Sequence, residues 1–70
     1  MLRLKVREVL EEKGVSMSKA SRLADLSYNT ILAICQHPDR DISINTLFKI
    51  AKALNVSMLD LVEEVPDDTD

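Results

Sequence analysis

The sequence predicts an all-α domain of five short helices. Three observations carry this. The chain has one glycine and 3% aromatic residues, a poor endowment for a sandwich of short strands and tight turns. Its hydrophobic share of 46% is enough for a folded core of Leu, Ile, Val, Ala and Met. Its apolar residues recur at spacings of three and four, which places them on one face of successive helices. Seventy residues allow one domain with one small core.

The first helix is expected from about Arg3 to Lys13, with Leu2, Val6, Val9 and Leu10 on its apolar seam. Gly14 closes it, because glycine takes the left-handed conformation without a Cβ clash. Ser16 caps a second helix that ends near Ala24, its apolar positions being Met17, Ala20, Leu23 and Ala24. "DLS", residues 25–27, forms the turn. Asp25 tolerates a left-handed backbone better than most residues, and Leu26 points into the core.

Ser27 caps the third helix, Tyr28 to Gln36. Ile31, Ile34 and Cys35 share its inner face, and Tyr28, Asn29, Leu32, Ala33 and Gln36 lie on or beside the outer one. Pro38 holds His37 extended and ends the helix. After the loop "HPDRD", Ser43 caps a fourth helix, Ile44 to Leu54, with Leu47, Ile50, Ala51 and Leu54 as its buried stripe. Asn55 supplies a left-handed stop. Ser57 caps a short fifth helix, Met58 to about Val62, with Leu59 and Val62 inward and Leu61 of undecided side.

The charge is unevenly spread. The net charge is −3, but Glu63, Glu64, Asp67, Asp68 and Asp70 hold five of the twelve acids. Residues 1–62 carry nine basic and seven acidic side chains, a balance of +2. The reading is a mildly basic domain, residues 1–64, followed by an acidic, disordered tail, residues 65–70.

The composition also excludes several classes. Cys35 is the only cysteine, so neither an internal disulfide nor a cysteine zinc cluster is expected. One His and scattered Ser residues make no catalytic constellation, so no enzyme, cofactor or metal is expected. No apolar run approaches the roughly 18 residues that cross a membrane. "MLRLKVREVL" mixes charged with apolar residues, unlike a signal peptide. The expectation is a soluble, cytoplasmic protein.

Two short helices joined by a tight turn, "GVSMSKASRLADLSYNTI", precede "ISINTLFKIAKALNVSMLDLVEE". Together they resemble the Cro/C1-type helix-turn-helix family, also called the XRE family, over about residues 2–64. The resemblance implies a five-helix, lambda-repressor-like fold with the helix-turn-helix at the second and third helices. It also implies double-stranded DNA as the partner, with the start of the third helix in the major groove. Ser27 then stands at a phosphate-contacting position. Tyr28, Asn29 and Ala33 stand where the family's base-reading side chains stand, with Leu32 at their margin. Met17 stands where a Gln often supports a phosphate. Gln36, Arg40 and Ser43 fall in the region that touches the DNA backbone.

The departures from the family pattern are specific. Asp25 replaces the favoured turn glycine. Leu10 and Cys35 replace a partly buried Arg–Glu pair, both becoming apolar together. Losing one charge alone would strand the other at about 3–5 kcal/mol, whereas replacing both is often neutral or stabilising. The third helix has no Lys or Arg, so phosphate contacts fall to Lys19, Arg22, Arg40 and helix N-termini. Asn29 can pair with adenine, and Leu32 and Ala33 can touch a thymine methyl.

The function expected is a sequence-specific, repressor-like regulator acting as a homodimer on half-sites about 34 Å apart. Met58, Leu61 and Val65 are the apolar candidates for its dimer surface. The alternative is a small protein-interaction module on the same scaffold, such as an antitoxin or adaptor. It is motivated by the short chain, the acidic tail and the weakly polar third helix, where Leu32, Ala33 and Tyr28 can face a protein partner.

Overall fold

Four α-helices and one 3₁₀ turn follow one another between two short strands in the computed structural model, which describes residues 1–66. The order is β1 (Leu2–Leu4), α1 (Val6–Lys13), α2 (Met17–Ala24), α3 (Tyr28–Gln36), α4 (Ile44–Leu54), the 3₁₀ turn (Met58–Leu61) and β2 (Val62–Glu64). The three middle helices fall where the apolar spacing puts them, and the differences lie at the two ends.

The first helix begins at Val6, not Arg3. Leu2, Arg3 and Leu4 instead pair antiparallel with Glu64, Glu63 and Val62. As a strand, "LRL" puts its two leucines on one face and Arg3 on the other; Leu4 is buried at 6% exposure, while Leu2, one pair further out in the sheet, is 65% exposed. The strand is fixed by backbone bonds beyond its register. The Leu4 N–H donates to the Pro38 carbonyl and the Lys5 N–H to the Leu61 carbonyl, each at 2.7 Å. The fold is thus helices plus a small sheet, rather than all-α.

The fifth helix is also different. It is a 3₁₀ turn of four residues, and Val62 already belongs to β2. Three residues per turn place Met58 and Leu61 on one side, so Leu61 is fully buried while Leu59, expected inward, is 80% exposed. Ser57 accepts from the Leu59 N–H at 3.2 Å, and Asp60 accepts from the Ser57 N–H at 3.2 Å. Just beyond β2, the Val65 N–H donates to the Met1 carbonyl at 2.8 Å. Residues 67–70 of the acidic tail expected from residue 65 lie outside the described residues.

Arg3 ties the ends to α1. Its guanidinium bonds Glu8 at 2.6 Å and Glu63 at 3.0 Å. The hydrogen bond from Arg3, helped by its charge and that of Lys5, holds the Glu8 carboxyl below its ordinary range.

The core joins all the helices. Val6, Ile31, Ile50 and Leu61 are its most deeply buried large side chains, each contributing about 1.5–3 kcal/mol of transfer free energy. Ile31 lies in the middle of α3, so the seat of that helix depends on it. Ala20, Ser21 and Ala24 line the buried side of α2, and these small side chains let α4 approach closely. Ser21 is satisfied locally, its Oγ donating to the Ser18 carbonyl at 2.8 Å. Leu23, expected in that stripe, is 53% exposed. It precedes Ala24 by one residue, about 100° around the helix.

Candidate nucleic-acid interface

The α2–turn–α3 unit is set by its caps. Ser16 accepts from the Lys19 N–H at 3.1 Å. Asp25 ends α2 in the left-handed region at φ 58°, and its N–H returns to α2 carbonyls. The Leu26 N–H donates to the Ser21 carbonyl at 2.9 Å. Ser27 is extended and accepts from the Thr30 N–H at 3.1 Å. With both ends of the turn fixed, the first turn of α3 faces solvent while Ile31, Ile34 and Cys35 face the core.

Two concave surfaces flank α3. On one side Asn29, Thr30 and Ala33 share a cleft of about 390 Å³ with Arg40, Ser43 and Thr46 from the following loop and α4. On the other side Leu32 and Gln36 share an apolar groove of about 410 Å³ with Met17, Leu10 and Cys35. The expected site residues thus divide into two sets. Asn29, Ala33, Arg40 and Ser43 come together, and so do Met17, Leu32 and Gln36. Ser27 and Tyr28 are exposed at the tip of α3, with Tyr28 at 43% exposure. Lys19 and Arg22 are exposed on α2 and line neither concavity.

Leu10 and Cys35 behave as an apolar pair. Both are buried, at 3% and 9% exposure, and both line the groove between α1 and α3. Burial pushes the Cys35 thiol up, so it stays neutral and packs as a small apolar group. Above them, Arg7 and Glu11 form an exposed pair at 3.4 Å along α1.

Two residues that line the cleft escaped the sequence reading. Thr30 Oγ1 lies 2.8 Å from Ser27 Oγ, and Thr46 Oγ1 lies 2.8 Å from Ser43 Oγ. Both threonines line the cleft beside Asn29. The signal was present: "SYNT" and "SINT" are the same S-x-N-T pattern, one opening α3 and the other α4. Each serine caps the N–H three residues on, and each threonine stands at that position.

Among the described residues no His, Cys, Asp and Glu side chains group into a metal-sized site. Nor is any helix long and apolar enough to cross a membrane.

A helix-turn-helix with a capped, outward-facing second helix defines a DNA-binding class of domain. The family model for the Cro/C1-type HTH DNA-binding domain matches residues 5–67 of the chain, and the chain belongs to that family. No curated protein matches it.

Proposed function

We propose that the chain is a sequence-specific, repressor-like regulator of transcription that binds duplex DNA as a homodimer, with α3 in the major groove. The carrying observation is the placement of Asn29 and Ala33 on the outer side of α3, in one cleft with Arg40 and Ser43. That cleft combines groups that suit base edges with a cation and a capped helix start that suit phosphate. Ser27 grips a phosphate at the tip of α3, beside Tyr28. Lys19 and Arg22 on α2 add backbone contacts, as do Met17 and Gln36 beside Leu32. A duplex target implies action in the cytoplasm.

The dimer surface needs revision from the sequence expectation. Leu61 is fully buried and cannot meet a second copy, whereas Ile44, Phe48 and Leu59 are 75%, 52% and 80% exposed. Ile44 and Phe48 lie one turn apart on α4, and Leu59 lies on the 3₁₀ turn that packs against α4. These three are the better candidates for a surface shared by two copies.

A mobility-shift experiment with random duplexes at low salt tests the proposal, because phosphate contacts are strongest there. Retarded complexes of dimer stoichiometry are expected. No binding at any protein concentration up to the solubility limit would refute it. One observation favours a second reading, a protein-interaction module: the apolar groove with Leu32 at its edge. A single stoichiometric protein partner, captured together with indifference to duplex DNA, would select that reading.

A further inference from the structure

We infer that the duplex site is read through A·T pairs: an adenine held by Asn29 and, about two base-pair steps along, a thymine methyl against Ala33, with no guanine required. This rests on α3 being the helix that enters the groove.

The outward inventory of α3 decides the composition. Guanine is read in the major groove chiefly by Arg or Lys at O6 and N7. Between Tyr28 and Gln36 there is neither. Asn29 is exposed, and its amide presents the donor and acceptor that match adenine N7 and N6. Thr30 is half-buried and its hydroxyl is already held by Ser27 at 2.8 Å. Ala33 and Leu32 are half-buried apolar side chains that can meet only a methyl.

Spacing sets the order. Four residues along a helix advance about 6 Å, close to two steps of 3.4 Å on one strand. Asn29 and Ala33 are four residues apart and open on the same cleft, so the adenine and the thymine lie about two steps apart. Gln36 is a further turn away at the C-terminal end of α3, whereas it is the N-terminal end of such helices that reaches base edges. Arg40 stands beyond α3, on the loop wall of that cleft with Ser43 and Thr46, where a phosphate fits it better than a base.

The test is in vitro selection from random duplexes, followed by atom-level changes in the enriched duplex that leave the protein untouched. The enriched core should be A·T, with no invariant guanine. Replacing the specified thymine by uracil should weaken binding roughly four-fold, the worth of one buried methyl. Replacing the specified adenine by 7-deazaadenine should weaken binding about ten-fold for the folded wild-type chain, and much less for Asn29→Ala. An invariant guanine whose selection disappears in Arg40→Ala overturns the inference but leaves DNA binding standing. So does tight binding with no base preference. Absence of duplex binding at low salt instead overturns the proposed function, and this inference with it.

Discussion

Ser27 caps α3, and the proposed function gives it a phosphate contact as well; one substitution confounds the two roles and a second separates them. Its Oγ accepts from the Thr30 N–H at 3.1 Å and lies 2.8 Å from Thr30 Oγ1. A hydroxyl has one donor and two acceptor positions, so Ser27 can cap α3 and still turn its O–H to a phosphate. Ser27→Ala removes both functions. Loss of an N-cap costs about 1 kcal/mol. Unfolding entropy of about 2.1 cal/mol/K per residue over 70 residues converts that to a fall in Tm of about 7 °C. Ser27→Gly is different, because glycine at an N-cap costs only a few tenths of a kcal/mol. It should melt within about 3 °C of the wild type yet still lack the phosphate donor. A hydrogen bond to a charged group is worth about 1.5 kcal/mol at the low end, the end suited to an exposed site. That is roughly ten-fold in Kd per contact. The assay is thermal melting by circular dichroism beside duplex titration at two salt concentrations. A Ser27→Gly chain that melts normally and binds duplex as tightly as the wild type would refute the phosphate role and leave Ser27 a cap only.

Three further outcomes follow from the fold. Leu10→Arg alone should cost about 3–5 kcal/mol by placing an unpaired charge where Leu10 is 3% exposed; adding Cys35→Glu should recover part of it, and additivity within about 0.5 kcal/mol in urea denaturation would show that the two sites do not couple. Glu8 is held below its ordinary value of about 4.3, chiefly by the Arg3 hydrogen bond. Its contribution is therefore fully present above that value and lost as pH falls through the lower folded one; urea midpoints of wild type and Glu8→Gln should differ at pH 7 and converge once pH has fallen below that folded value. Asp25 holds φ at 58°, a region that costs a non-glycine residue about 1–2 kcal/mol. Glycine's greater freedom in the unfolded chain offsets roughly 0.5–1 kcal/mol of that, so Asp25→Gly should raise Tm by up to about 7 °C, and a fall would show that the Asp25 side chain supports the turn.

The middle of the fold was legible because its signals are local. Ser16, Ser27 and Ser43 stand at N-caps, Gly14, Asp25 and Asn55 at left-handed stops, and all six keep those places in the structure. A cap needs only three or four neighbouring residues to act. The ends were misread for the opposite reason. Leu2 to Leu4 become a strand only because residues 62–64, some sixty positions away, supply the partner. "LRLKVREVL" also satisfies a helical period, so the chain alone cannot choose between the two. Leu59 and Leu61 fail in the same way. Their sides follow from three residues per turn instead of 3.6, and Leu61 can then seal the core beneath β1, accepting the Lys5 N–H.

The site was legible as residue types and much less as geometry. A helical wheel puts Asn29, Leu32 and Ala33 on one outward face, as if they formed a single patch. The neighbours divide them. The loop carrying Arg40 rises beside Asn29 and Ala33, while α1 leaves a groove beside Leu32. The wheel contains no information about either neighbour. The groove itself is floored by two apolar residues, Leu10 and Cys35. The absence of Lys and Arg from α3 is then less a defect than a division of labour. Cations on α2 and on the α3–α4 loop can hold the backbone, leaving the exposed first turn of α3 to one amide and a few methyl groups. A domain built in this way gains affinity from charges that carry no sequence information. Discrimination rests on contacts whose individual worth is small, so useful specificity requires two copies reading two half-sites. Under the proposed function, that would couple the exposed Ile44 and Phe48 to base reading by Asn29. Phe48→Glu should leave the fold intact, since Phe48 is 52% exposed. If α4 carries the dimer surface, it should also abolish cooperative binding to a paired site while sparing weak binding to a single half-site. Unchanged cooperativity in that variant would move the dimer surface off α4.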